Sequence, residues 1–259
     1  MCIPKVIHLC WFGRGDFPKL AKMCIESWKK YLPDYEIKLW NEDNYDVNKC
    51  SYTKKAYKER RWAFVSDYAR LDILYNHGGI YMDTDLEIIK DFTDLLEEKR
   101  FVSSYIEGGL ITAGFIACEK NHPFIKKIID FYDGESKKIE NNQQIDYIMN
   151  PLIFTEAAIR EYGFSLTDNS FENDVITVYP IDYFMAYKKV TFGTSYAHWR
   201  YRITKNTCAL HHDMSSWHKR KKLTKLIKST IRLVLPQNIY ISMKIKKNLE
   251  EIEKRKMNN

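Results

Sequence analysis

Ile80-Tyr81-Met82-Asp83-Thr84-Asp85-Leu86-Glu87-Ile88-Ile89 sets two carboxylates, one residue apart, inside an otherwise apolar run. A buried carboxylate without a partner costs several kcal/mol or surrenders its charge through a large pKa shift, so such a pair calls for a cation or for hydrogen-bond donors. A divalent ion is the simplest answer. The preceding Gly78-Gly79 reads as a helix stop and tight turn, which lets the chain enter a short strand and puts Asp83 and Asp85 near its end. Residues two apart on a strand point the same way, so both carboxylates are expected to address one ligand from one side. Hard carboxylate oxygens suit Mg²⁺ or Mn²⁺, ions that bridge a protein to a diphosphate. The stretch therefore predicts a nucleotide-diphosphate site.

Upstream, Trp62 to Tyr75 has helical spacing, with Phe64, Leu71 and Leu74 on an apolar stripe that also carries Asp67. Arg70 follows Asp67 at i+3, close enough to pair. Two readings stand: a structural ion pair closing the helix on the sheet, or Asp67 accepting from sugar hydroxyls while Arg70 holds it or contacts a donor. Further back, Lys5 to Phe12 is a continuous run suited to a buried strand, ended by Gly13-Arg14-Gly15; this pair lacks the spacing of a dinucleotide fingerprint. Trp11 at its end either stacks on a base or fills the core. Pro18 to Tyr31 has helical spacing with proline near the start, and Tyr35 to Trp40 alternates as a strand. This β-α-β rhythm predicts a mixed α/β sheet.

Downstream signals are weaker. Ile111 to Cys118 reads as a strand interrupted by Gly114, with Thr112 and Gly114 as acceptor-side candidates. His122 to Tyr132 and residues 143–161 read as helices, with Asn150-Pro151 as a break, and Cys208 to Leu210 reads as a strand.

Composition bounds the rest. A chain of 259 residues with 18 Tyr, 13 Phe and 6 Trp can bury a substantial core, which predicts one catalytic domain, residues 1–218, with an appendage, residues 219–259. Cys2, Cys10, Cys24, Cys50, Cys118 and Cys208 form no C-x-x-C pair, and no signal-peptide pattern precedes them, so we read reduced thiols in a cytoplasmic protein. No window is apolar enough to span a bilayer. From Lys219 to Asn259 there are 13 basic and 3 acidic residues, a net of +10; the whole chain is +7, leaving residues 1–218 at −3. Leu223, Leu226, Ile227, Thr230, Ile231 and Val234 form an amphipathic stripe, Pro236 breaks it, and Ile241, Ile245, Leu249 and Ile252 begin another. Three readings compete for this tail: a packed helix, a nucleic-acid arm and a membrane-surface anchor at the inner face of the cytoplasmic membrane. The absence of interleaved aromatics argues against nucleic acid.

The continuous segment from Trp62 through Asp67, Arg70, Gly78, Gly79 and Tyr81 to Asp83-Thr84-Asp85 resembles the D-x-D sugar-binding region of glycosyltransferase family 32. Ile3 to Gly13 is similar to that family's first strand, and His211-His212-Asp213-Met214-Ser215-Ser216-Trp217 to its closing element, so the likeness spans about residues 3–217. The family includes bacterial capsule and lipopolysaccharide transferases. The resemblance implies an α/β, GT-A-type Rossmann-like mixed sheet flanked by helices, followed by the basic amphipathic tail. It also implies a hexosyltransferase that uses a nucleotide-sugar, UDP-sugar favoured over GDP-sugar, with Mn²⁺ or Mg²⁺, and that acts on a glycan or lipid-linked glycan with retention of configuration. Carried over, Asp83 and Asp85 hold the metal, with a histidine as third ligand, His212 favoured over His211. Asp67 and Arg70 bind the donor sugar, Tyr81 lines the pocket, Trp11 stacks near the base and Trp217 caps the diphosphate. The rival expectation is a metal-stabilised nucleotide-binding or phosphatase-like protein. Against a haloacid-dehalogenase-type phosphatase, Glu87 stands where Thr or Val is usual.

Overall fold

The computed structural model describes residues 2–166, 169–186, 203–212 and 237–257. The apolar run near the N-terminus forms β1 (Val6–Cys10), and α1 (Lys19–Tyr31) follows from Pro18, buries Ala21, Cys24 and Trp28 on one face, and leads to β2 (Glu36–Trp40), parallel to β1. After α2 (Ser51–Lys58) comes α3 (Trp62–His77). This helix is buried over most of its circumference, from Val65 and Tyr68 to Leu74, because it packs on β1 and β3 (Gly79–Met82) with α2 and α4 (Pro123–Glu140) against it. The single stripe expected from Phe64, Leu71 and Leu74 was therefore too narrow.

The expected helix stop is present. Gly78 adopts φ +66° as its N–H donates to the Leu74 carbonyl. Gly79 adopts φ +97°, and a Cβ there would come within 2.6 Å of the Val6 carbonyl oxygen and 3.1 Å of the His8 imidazole. Glycine is thus required by both conformation and space.

From Gly79 the chain enters β3, parallel to β1 and antiparallel to β6 (Phe115–Cys118). With β5 (Phe101–Ser104), β7 (Phe171–Glu172) and β8 (Thr177–Tyr179), these strands make a mixed seven-stranded sheet in the order β2-β1-β3-β6-β5-β8-β7. The α/β mixed sheet flanked by helices is the fold class expected. A separate two-stranded ladder pairs β4 (Leu86–Ile88) with β9 (Ala209–His211).

Asp83 and Asp85 stand just past the end of β3, as expected, in the turn that leads to β4: the Asp83 N–H donates to the Gly114 carbonyl at 2.9 Å, and Leu86 N–H to the Asp83 carbonyl at 3.0 Å. Two local expectations are corrected. Residues 143–149 are not helical; Asn150-Pro151 is a start rather than a break, because proline suits the first turn of α5 (Asn150–Tyr162). The strand expected from Ile111 begins only at Phe115, with Ile111 in an isolated bridge to Tyr105.

After the short α6 (Ile181–Phe184), the last described element is α7 (Gln237–Met257). It packs on the domain: Ile252 is buried with Leu110 and Leu152, Asn248 donates to the Gly108 carbonyl at 2.9 Å, and Arg255 reaches Glu156 at 3.1 Å. The first amphipathic stripe, Leu223 to Val234, and the proposed boundary at residue 218 lie outside the described residues. All six cysteines are free, and among the described residues no helix is long and apolar enough to cross a membrane.

His8 joins these parts. Its Nε2 donates to the Gly78 carbonyl at 3.0 Å and its Nδ1 accepts from the Trp40 indole at 3.1 Å, a neutral tautomer assigned from the network. Burial pushes its pKa down from 6.5 to about 4. Between those values the unfolded chain binds a proton that the folded chain refuses, so stability is full above the upper value and falls as pH drops through the window. The loss attributable to His8 is about 3 kcal/mol by pH 4. Urea unfolding at pH 7 and 4.5 should show a smaller difference in His8→Gln than in wild type; an equal difference contradicts this role.

Candidate active site

Two parallel strands, β1 and β3, point their C-terminal ends to the same edge of the sheet. There the Asp83–Leu86 turn projects its carboxylates. Gly114 makes room for the first, since a Cβ at that position would lie 2.8 Å from Asp83 Oδ2. The space left by the missing side chain at Gly114, an acceptor-side candidate in the sequence, is thus taken by a carboxylate of the chain itself. Thr112, buried, uses its hydroxyl to accept from the Gly114 N–H at 3.0 Å and so holds this loop.

The β4–β9 ladder brings the far end of the chain to the turn, with Leu86 opposite His211. Helix α1 supports it: Trp28 donates to the Leu86 carbonyl at 2.6 Å, and Ser27 accepts from the Ile88 N–H at 2.9 Å. As a result, ligand atoms of Asp83, Asp85 and His211 all lie within 4.8 Å of one another. His211 Nε2 stands 3.5 Å from Asp85 Oδ1. The geometry gathers His211 and not the favoured His212, whose Nε2 is 2.8 Å from Glu87 Oε2. The reason is strand alternation: neighbouring residues face opposite ways, and the register was not readable without the partner strand.

Behind the turn lies Arg70, its side chain only 7% exposed. Its Nη2 is 2.9 Å from Asp67 Oδ1 and its Nη1 is 3.4 Å from Asp83 Oδ1. The same guanidinium donates to the carbonyls of Ser66 and Ala113 and lies 4.5 Å from the centre of the Tyr81 ring. Tyr81 in turn donates to Asp83 Oδ1 at 3.0 Å. The geometry shows the ion pair closing the helix on the sheet, and that pair also touches the D-x-D carboxylate Asp83. Asn150 extends the network: buried at the start of α5, it donates to the backbone and side-chain oxygens of Asp67 at 3.0 and 3.1 Å, while its own oxygen accepts from Tyr132. No local pattern marked Asn150, since its role depends on where α5 docks.

Burial raises the Asp67 pKa to about 6, with Arg70 opposing and Asp83 adding to the rise. Burial likewise lifts Asp83 above the usual carboxylate range; Arg70 works against this, and Asp85 reinforces it. A cation beside Asp83 and Asp85 would relieve that repulsion. Two carboxylates and an imidazole within one coordination sphere fit Mn²⁺ or Mg²⁺, and the Asp83 side chain, 33% exposed, leaves the cluster reachable.

Trp11 sits at the C-terminal end of β1, half-buried, with its ring 4.7 Å from Phe17 and its indole N–H on the Gly15 carbonyl. It is neither a fully buried core residue nor remote from the sheet edge that carries the carboxylates. Trp217 lies outside the described residues.

Asp83, Asp85 and His211 thus cluster at the C-terminal edge of the parallel strands of a mixed α/β sheet. Residues 18–102 match the family described as "Glycosyltransferase sugar-binding region containing DXD motif". Among similar proteins, inositol phosphoceramide mannosyltransferase 3 of Schizosaccharomyces pombe is 29% identical over 139 residues, 49% of this chain and 36% of the relative. The uncharacterized glycosyltransferase L373 of Acanthamoeba polyphaga mimivirus is 30% identical over 152 residues, 54% of this chain and 61% of the relative. The solved PaToxG glycosyltransferase is 23% identical with a TM-score of 0.48, over 62% of this chain and 70% of that one. The chain thus spans less than two thirds of these curated relatives' length.

Gly114→Ala tests the cluster without touching a ligand. The added methyl must displace the Asp83 carboxylate, so Mn²⁺ affinity measured calorimetrically should fall by about tenfold, the scale of a disturbed supporting shell, with little change in melting temperature. Unchanged affinity would show that Asp83 does not need this position.

Proposed function

We propose that this chain is a metal-dependent hexosyltransferase that moves a sugar from a nucleotide-diphosphate donor, a UDP-sugar rather than a GDP-sugar, to a glycan acceptor of the capsule, O-antigen or lipopolysaccharide kind. The observation that carries this is the convergence of Asp83 and Asp85, from the matched D-x-D sugar-binding region, with His211 of β9. Asp83, Asp85 and His211 would hold Mn²⁺ or Mg²⁺. When bound, the ion neutralises the diphosphate as it leaves.

The chain's own residues do the rest. Arg70 fixes the angle between Asp67 and Asp83, so both carboxylates are set before the donor arrives. Asp67, partly exposed and braced by Asn150, accepts from donor-sugar hydroxyls. Tyr81, whose ring is covered by Arg70, forms a wall of the pocket through its bond to Asp83. Trp11 offers an aromatic surface for the base at the end of β1. Retention of configuration follows from the resemblance to family 32, and a same-face departure and attack is the route we assign to it.

Calorimetric titration with a panel of UDP- and GDP-sugars, with and without Mn²⁺, tests this. We expect Mn²⁺-dependent binding of one UDP-sugar, lost in Asp85→Ala by about 100-fold or more. Metal binding without any nucleotide-sugar binding would instead favour the metal-stabilised or phosphatase-like alternative.

We also propose attachment to an anionic membrane surface when the acceptor is lipid-linked. Support comes from the basic excess after Lys219 and from α7, where Ile239 and Met243 are 46% and 55% exposed beside the exposed Lys246. Each basic residue near an anionic leaflet contributes about 1 kcal/mol. Cosedimentation with anionic vesicles should fall with added salt and in Met243→Glu; equal sedimentation with neutral vesicles contradicts the electrostatic part.

A further inference from the structure

Two adjacent histidines at the end of β9 could each reach for a metal, yet the structure aims one of them elsewhere. The pairing register explains how. Leu86 stands opposite His211 and Glu87 opposite Leu210, and beyond the last pair the His212 N–H donates to the carbonyl of Asp85 in the turn at 3.0 Å. Side chains alternate between the two faces of the ribbon. His211 therefore shares a face with Leu86, while His212 shares the opposite face with Glu87, on the diagonal where cross-strand partners meet. There the imidazole Nε2 and the Glu87 carboxylate lie 2.8 Å apart, with side chains 18% and 13% exposed. His211 is held on its other side as well, its N–H donating to the Ala186 carbonyl at 2.8 Å.

We propose that Glu87 is a positioning residue: by holding His212 on the far face of the β4–β9 ribbon, it selects His211 as the imidazole that completes the site with Asp83 and Asp85. This rests on the metal-site reading given above and adds to it the element that chooses between the two histidines. Glu87 follows Asp85 by two residues and belongs to the strand that leaves the D-x-D turn. The turn and the choice of ligand are thus set by one short segment. Its carboxylate also keeps His212 from competing for the ion, since the imidazole must give up its 2.8 Å contact with Glu87 before it can turn toward the site.

The test uses the full chain and Mn²⁺ in the presence of UDP. Free Mn²⁺ is read by electron paramagnetic resonance, and the nitrogen coupling of bound Mn²⁺ by its spin-echo modulation. The expectation is that His211→Ala abolishes the nitrogen coupling while His212→Ala keeps it. Glu87→Ala should weaken Mn²⁺ binding by about tenfold, His212→Ala, which removes the competing imidazole, should leave it near wild type and restore it in the double variant, and Glu87→Gln, which keeps an acceptor oxygen, should stay within about threefold of wild type. Circular dichroism identifies any variant that fails to fold, and Glu87→Gln then decides through its nitrogen coupling. Wild-type binding that is unmoved in Glu87→Ala, or a coupling that disappears with His212→Ala and survives His211→Ala, overturns the positioning role alone. No Mn²⁺ binding by the wild type overturns the site and the positioning role together.

Discussion

A single buried cation, Arg70, holds the working edge of this protein together. Its guanidinium lies under the D-x-D turn, shared between Asp67 of α3 and Asp83 of the turn, with backbone carbonyls of Ser66 and Ala113 taking its remaining donors. A charge so far from water is costly unless its partners are all in place, and here two carboxylates and two carbonyls meet it in the planar fork that arginine alone provides. Removing the guanidinium would strand two carboxylates in a poorly solvated site, a loss of about 3–5 kcal/mol by the usual cost of breaking a buried pair. The same interaction explains why Asp67 and Asp83 are raised rather than fully neutralised: burial lifts them, and Arg70 restrains the rise. A helix, a strand end and the loop leading into β6 are thereby joined at one point.

The second dependence is long-range. The cluster is incomplete until β9, from the far end of the chain, lies down on β4, and that ribbon is steadied from below by Trp28 and Ser27 of α1. Elements distant in sequence thus meet beside the carboxylates. Helix α7 strengthens this closure from another side. Its bonds to Gly108 and Glu107 hold the loop that continues to Thr112 and Gly114, where Asp83 rests, and Arg255 ties the helix to Glu156 of α5.

Features carried by short stretches were legible in the sequence. The buried first strand, α1, β2, the Gly78-Gly79 stop and the separate pairs Asp67–Arg70 and Asp83–Asp85 follow from local spacing or from residue types with one conformational use, while the meeting of the two pairs is implied only by the resemblance to family 32. What failed depended on pairing. That the D-x-D stands near the end of a strand is local information, but the turn it makes is not: the Gly114 carbonyl that captures the Asp83 N–H is thirty or so residues away. The choice between His211 and His212 turned on the β4–β9 register, which only the partner strand supplies. Asn150 carried no signal, because its value lies in touching Asp67 across a helix interface. Asn150-Pro151 was read as an interruption where proline in fact begins a helix, a case in which one residue type serves two boundaries.

The central claim is that Asp83, Asp85 and His211, braced by Arg70, form one cation site for a nucleotide-sugar. It is tested most directly by locating Mn²⁺ in crystals grown with UDP, through anomalous diffraction at the manganese edge. The account predicts one peak bonded to Asp85 and His211, with Asp83 in direct or water-mediated contact and Arg70 still bridging Asp67 and Asp83. A peak between Glu87 and His212, or none near the turn, would contradict it.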